Sequence, residues 1–242
     1  MQERTFLQAV NDLGLGTFTI QDIAKILGIE GSGLNIFLHR LAKRNVISRI
    51  ERGKYRLVDI PDEVVSTNIV NPSYISFLWA LSYHKLSSQM PSTRTIVTLR
   101  RHAPLTIGNS NVHFMVIQKM RFFGMARHKI RNVWEFVVAE PEKAIIDSLC
   151  YPAYCPITEV IDSIQTAAEE EMLDLERLVN YSLRMGSQAG AKRLGHLLDQ
   201  VGIDLHVSLK SLVGGRYDPL DPHLPAKGKF DSRWHIIVNT EA

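Results

Sequence analysis

The 242 residues contain only two cysteines, Cys150 and Cys155. They are too few for a disulfide framework, and their spacing, with prolines at 152 and 156, matches no common zinc pattern. Both are read as reduced thiols. No apolar run approaches the length that crosses a bilayer, and the start, Met1-Gln2-Glu3-Arg4, lacks a cationic stretch followed by an apolar one. A cytoplasmic protein with no membrane partner is therefore expected. The nine histidines, among them His84, His102, His113, His128 and His235, include no short His-x3-His spacing of the kind that holds a metal. Neither Gly-x4-Gly-Lys-Ser/Thr nor Gly-x-Gly-x-x-Gly occurs, so Gly214-Gly215-Arg216 reads as a plain loop. Gly-x-Ser-x-Gly is absent too, and no Cys/His pairing stands out. No catalysis, cofactor or metal is expected.

A large excess of one charge is also lacking: the formal net charge is +3. What there is lies at one end. Residues 1–58 hold nine Lys/Arg against five Asp/Glu, a net of +4, which leaves the remaining residues at −1. Local charge says more about a polyanionic partner than the sum does. Hydrophobic residues make up 45% and charged residues 22%, which is ordinary for a globular protein and excludes global disorder. The length favours two domains.

Phe6, Leu7, Val10 and Leu13 have helical spacing over residues 5–13, before Gly14-Leu15-Gly16. Thr19 with Asp22 three positions on predicts a capping box that opens a second helix, with Ile20, Ile23, Ala24 and Leu27 on one face and Gly28 at its end. After the turn Ile29-Glu30-Gly31, Ser32 is placed as the cap of a third helix. Its buried stripe is Leu34, Phe37, Leu38 and Leu41, and its opposite face is Ser32, Asn35, Ile36, His39, Arg40 and Lys43. Two short helices joined by a tight glycine-containing turn, the second exposing polar and cationic groups, form a helix-turn-helix. Extended-type runs at 46–50 and 54–58 flank Glu51-Arg52-Gly53 and predict a hairpin wing with a cationic tip.

The strongest chemical signal is His39, Arg40, Lys43, Arg44, Arg49, Arg52, Lys54 and Arg56, with the single acid Glu51 among them across residues 39–56. Each Lys or Arg that neutralises a phosphate releases counterions, so such a cluster gives salt-sensitive binding to double-stranded DNA. Ser32, Asn35, His39, Arg40, Lys43 and Arg44 are assigned to the recognition helix. Arg can pair with guanine edges there and Asn with adenine. Arg52 and Lys54 are assigned to the wing, for phosphate or minor-groove contacts. The alternative is a basic face used only for protein contacts.

Residues 61–70 turn acidic and proline-containing and read as a linker, so residues 1–60 form a winged helix-turn-helix and 71–242 a second domain. In that domain residues 72–86 read as a helix, and 95–99, 112–117, 121–126 and 133–139 as strands that pair mainly antiparallel. Glu140-Pro141 opens a further helix with Ala144, Ile145 and Leu149 inward. More helices are predicted near 158–168, 174–185 and 188–201. Short strands follow at 207–209 and 235–238, separated by a loop over 214–228. The fold class is α+β. Glu140, Glu142 and Asp147 beside Lys143 could hold a metal in a metal-dependent nuclease or nucleotide-processing enzyme. The spacing favours an exposed Lys143–Asp147 ion pair instead. A ligand-responsive regulator is a third possibility.

Pro72-Ser73-Tyr74-Ile75-Ser76-Phe77-Leu78-Trp79-Ala80-Leu81-Ser82-Tyr83-His84, with Ala139-Glu140-Pro141-Glu142-Lys143-Ala144-Ile145-Ile146-Asp147, resembles the AbiEi family of antitoxins. That resemblance covers most of the chain and is loose after about Gly186. It implies an N-terminal winged helix that represses its own operon at inverted repeats. It also implies a C-terminal antitoxin domain, with the helix from Glu140 to Leu149 as its matching part, of a type IV toxin–antitoxin system. Such a domain acts against a nucleotidyltransferase-like toxin without a stable complex.

Overall fold

The second helix starts through the reciprocal bonds its sequence predicts. The Thr19 hydroxyl accepts from the Asp22 amide at 3.2 Å, and the Asp22 carboxylate accepts from the Thr19 amide at 2.8 Å. The computed structural model describes residues 2–29 and 31–240. Its first elements are α1 (Gln2–Asp12), β1 (Phe18–Thr19), α2 (Ile20–Leu27), α3 (Ser32–Lys43), β2 (Ile47–Glu51) and β3 (Lys54–Leu57). Gly28 closes α2 at φ 63°, its N–H donating to the Ala24 carbonyl. Of the expected turn Ile29-Glu30-Gly31, Glu30 lies outside the described residues. Ser32 does not cap α3: Gly31, at φ 68°, takes the cap position, and Ser32 is the first helical residue with no side-chain cap bond. Leu13, the last of the helically spaced apolar residues, lies just past the end of α1 at Asp12 and is exposed.

Phe6 meets Phe18 and Phe37 edge-on, with ring centroids 5.3 and 5.8 Å apart. Val10, Ile23, Leu34, Leu38, Leu41, Ile47 and Leu57 are buried with them. β3 lies between β1 and β2 in an antiparallel sheet. Arg52-Gly53 turns the hairpin, and Gly53 supplies φ 79°, which a side chain would strain.

Residues 61–70, read as a linker, instead hold α4 (Asp62–Asn68), with Val64, Val65 and Ile69 buried. Together with Val70, these apolar side chains dock a stretch that is acidic in composition. Next come β4 (Ser73–Ser76), α5 (Phe77–Tyr83), β5 (Thr93–Thr98), β6 (Leu105–Ile107), β7 (Ser110–Val116), β8 (Met125–Ile130) and β9 (Trp134–Ala139). The expected helix over 72–86 is thus a strand followed by a shorter helix, because β4 lies inside the sheet with Tyr74 and Ile75 both buried. The strand expected at 121–126 begins only at Met125, after a 3-10 turn at Lys119–Arg121 and Gly124 at φ 71°. The six strands run in the order β6-β7-β5-β4-β9-β8. β5 pairs with β7, and β4 with β9, in parallel, so the sheet is mixed rather than mainly antiparallel.

The helices that follow are α6 (Pro141–Cys150), α7 (Ile157–Glu169), α8 (Leu175–Met185) and α9 (Gln188–Gln200), close to their sequence-based bounds. Then come α10 (His206–Leu209), β10 (Asp218–Pro219), β11 (Lys229–Asp231) and β12 (Ile236–Val238). Residues 207–209 are helical rather than extended. The Asp204 carboxylate accepts from the His206 amide at 2.9 Å and starts the turn that buries Leu209. The chain is α+β, with N-terminal helices and a hairpin followed by a sheet-containing region.

Two compact units emerge. One comprises the residues up to Ile75 with Ser92–Val116 and Ala126–Val138; the other comprises Ser76–Pro91, Ile117–Met125 and the residues from Ala139 on. In the second unit α6 is the central helix, buried from Glu142 to Leu149, with α5, α7, α8 and α9 packed around it. The ion pair between Lys143 and Asp147 forms, but in the interior rather than at the surface, and the Ser76 hydroxyl donates to Asp147 at 2.8 Å. On α9 the buried Lys192 donates to the Arg216 carbonyl at 2.6 Å and to Asp218 at 2.8 Å. A Cβ on Gly195 would overlap the Trp234 indole, so only glycine lets that ring lie against the helix. Removing one member of a buried pair leaves the other charge uncompensated, at a cost of about 3–5 kcal/mol. Lys143→Met is expected to lower unfolding free energy by that amount in urea denaturation, and Lys143→Met with Asp147→Asn to regain part of it.

Candidate nucleic-acid interface

Burial of Leu34, Leu38 and Leu41 sets the rotation of α3, and the opposite face follows from 3.6 residues per turn. Ser32, Asn35, Ile36, His39, Arg40 and Lys43 are all exposed there. His39, Arg40 and Lys43 enter no ion pair among the described residues. Arg40 and Lys43 present uncompensated charge among the described residues, with the Asn35 amide one turn before His39. Arg44, just past the helix, is tied to Glu3 of α1 in an exposed salt bridge. That bridge is worth little against solvent, so Arg44 can exchange it for a phosphate.

The wing cations divide. Arg49 and Arg52 are exposed, and Arg49 donates through Nε to the Glu51 carbonyl at 3.1 Å. Lys54 turns inward, donating to the Ile69 carbonyl at 2.8 Å and pairing with Glu51 at 3.0 Å. Arg56 is buried; it donates to the carbonyls of Leu57, Val58 and Ile60 and pairs with Asp62 at the start of α4. Alternation along β3 explains this, since residues 54 and 56 share one face of the strand. Thus of the eight assigned positions, seven are exposed and Lys54 is engaged within its own unit.

His102, which belongs to no motif in the sequence, lies at the wing tip with Nε2 3.1 Å from the Glu51 carboxylate. Burial by itself raises the Glu51 pKa, but bonding and attraction from Lys54 and His102 outweigh it and hold the carboxyl below its ordinary value. Glu51 is therefore ionised toward both partners above the usual carboxylate range, and its stabilising contribution is lost as pH falls through the depressed value.

The three carboxylates considered for a metal have separate occupations. Glu140 accepts from the Tyr181 hydroxyl, Glu142 accepts from the Asp174 amide at 3.0 Å, and Asp147 pairs with Lys143. No group of three metal-ligating side chains occurs among the described residues. Burial pushes the thiol of Cys150 up to about 11 and that of Cys155 up to about 12, leaving little thiolate at neutral pH. No helix among the described residues is long and apolar enough to cross a membrane.

A helix-turn-helix whose second helix shows a cationic face, completed by a three-stranded sheet with a short hairpin, defines a winged helix-turn-helix protein, a class built to meet duplex DNA. Residues 6–58 match the family model described as "Transcriptional regulator, AbiEi antitoxin". The match runs from the first core aromatic of α1 to one residue past β3, so it coincides with the winged helix, and the family named is the one that residues 72–84 and 139–147 resemble. Its description is of a transcriptional regulator and antitoxin. No curated protein matches the chain.

The division of the cations is testable by stability alone. Arg56→Met removes a buried pair and several charge-assisted bonds and is expected to cost at least about 3 kcal/mol in urea unfolding. Arg52→Ala, at an exposed turn, should stay within about 0.5 kcal/mol.

Proposed function

We propose that this chain is an autorepressor and antitoxin of a type IV toxin–antitoxin system. In this reading residues 1–60 bind inverted repeats in its own operator, and the region from residue 71 on counteracts a nucleotidyltransferase-like toxin without a stable complex. The observation that carries the DNA half is the exposed face of α3, where Asn35, His39, Arg40 and Lys43 stand together without acidic partners among the described residues. Arg offers paired donors to a guanine edge, Asn offers one donor and one acceptor to an adenine edge, and Lys43 and Arg44 offer charge to phosphates. Support for the antitoxin half is the family description attached to residues 6–58, together with the resemblance of residues 72–84 and 139–147.

Fluorescence anisotropy on the region upstream of the chain's own reading frame tests the repressor half. Arg40→Ala with Lys43→Ala should weaken binding and lower the slope of log K against log salt by about 2, close to 0.9 for each phosphate no longer neutralised. Unchanged binding would remove α3 from the interface. For the antitoxin half, co-expression with the neighbouring toxin gene should restore growth that the toxin alone arrests; continued arrest would reject that half.

A further inference from the structure

The wing offers fewer cations to a ligand than its sequence suggests, since Lys54 and Arg56 are engaged inward and only Arg49 and Arg52 remain exposed. Against its tip lies the loop that joins β5 to β6. His102 holds it there: its Nε2 is 3.1 Å from Glu51, its Nδ1 is 2.7 Å from the Ala103 carbonyl, and its ring packs at 4.4 Å on Phe114 of β7. At the start of the loop the Thr98 hydroxyl accepts from the Arg100 amide at 3.3 Å. Arg101 immediately precedes His102 in the chain, as Arg52 immediately follows Glu51, so one bridge brings the two arginine-bearing segments together. Arg100 and Arg101 are both exposed and form no ion pair among the described residues.

We infer that this loop is a second phosphate-binding element, in which Arg100 and Arg101 contact the backbone of duplex DNA beside the wing. The inference rests on the DNA-binding reading above and extends it beyond the winged helix. Four exposed arginines, Arg49, Arg52, Arg100 and Arg101, are carried by the two segments that the Glu51–His102 contact joins, and the Glu51 carboxylate there already has two partners, Lys54 and His102. Such a group suits the evenly spaced charges of a duplex backbone, which guanidinium forks meet in bidentate fashion. His102 is a positioning residue in this arrangement.

Full-length protein with Arg100→Ala and Arg101→Ala is to be compared with wild type on the upstream duplex and on a random-sequence duplex, across a salt titration. Removing two phosphate partners lowers the log–log slope by about 1.8. Between about 50 and 200 mM salt the variant's affinity should then fall about tenfold less than that of wild type. Both duplexes should show this, because the interactions are with the backbone. Arg100→Lys with Arg101→Lys should keep the wild-type slope, and thermal melting should be unchanged in both variants. An unaltered slope, or an affinity loss equal at every salt concentration, would overturn the proposal. If Arg40→Ala with Lys43→Ala weakens binding while the loop variant does not, the loop proposal alone fails. If wild type itself shows no salt-dependent binding to either duplex, the DNA reading fails and the loop proposal with it.

Discussion

The buried guanidinium of Arg56 is the constraint on which the shape of the first unit most depends. A planar group with five donors and no acceptor can enter an interior only where oxygens surround it. Here they come from the carbonyls of Leu57, Val58 and Ile60 and from the Asp62 carboxylate, all within six residues downstream. Gathering these oxygens bends the chain after the wing and starts α4 beside it. Residues whose composition suggests a free linker are thereby drawn into the packed unit.

The same constraint sorts the basic residues by role. A cation on the inward face of β3 acts as an internal strut, whereas one on the outward face of α3 or at the hairpin turn keeps its charge for a partner. The second unit repeats the pattern, with Lys143, Lys192 and Arg193 buried against carboxylates and carbonyls. A total of 28 Lys/Arg therefore measures the DNA-facing field poorly; what counts is the fraction that lacks an acid or carbonyl partner. Among the described residues, Arg40 and Lys43 on α3, Arg52 at the wing turn and Arg100 and Arg101 in the loop held by His102 are exposed cations that enter no ion pair.

These placements give the regulator reading its physical content. In that reading α3 carries the groups suited to discriminate bases, and the flanking cations are the source of affinity that depends on salt rather than on sequence. The contacts of Glu51 with Lys54 and His102 tie down the wing backbone next to Arg52, which reduces the ordering left for binding.

By itself the sequence determined what near neighbours decide. The Thr19–Asp22 box, the Leu34–Leu38–Leu41 stripe, the hairpin turn with Gly53 and the bounds of α7 to α9 all rest on contacts within a few residues, where spacing dictates geometry. The outward face of α3, and with it most of the candidate interface, was legible for the same reason. Tertiary structure alone decided the rest. Ser73–Ser76 became a strand because β5 and β9 flank it, Lys143 and Asp147 became interior because four helices cover α6, and Lys54 turned inward to Ile69. The bridge from Glu51 to His102 spans fifty-one residues, and no periodicity reaches that far. Partners distant in the chain set burial, and burial sets whether a charge serves the fold or is left for a ligand.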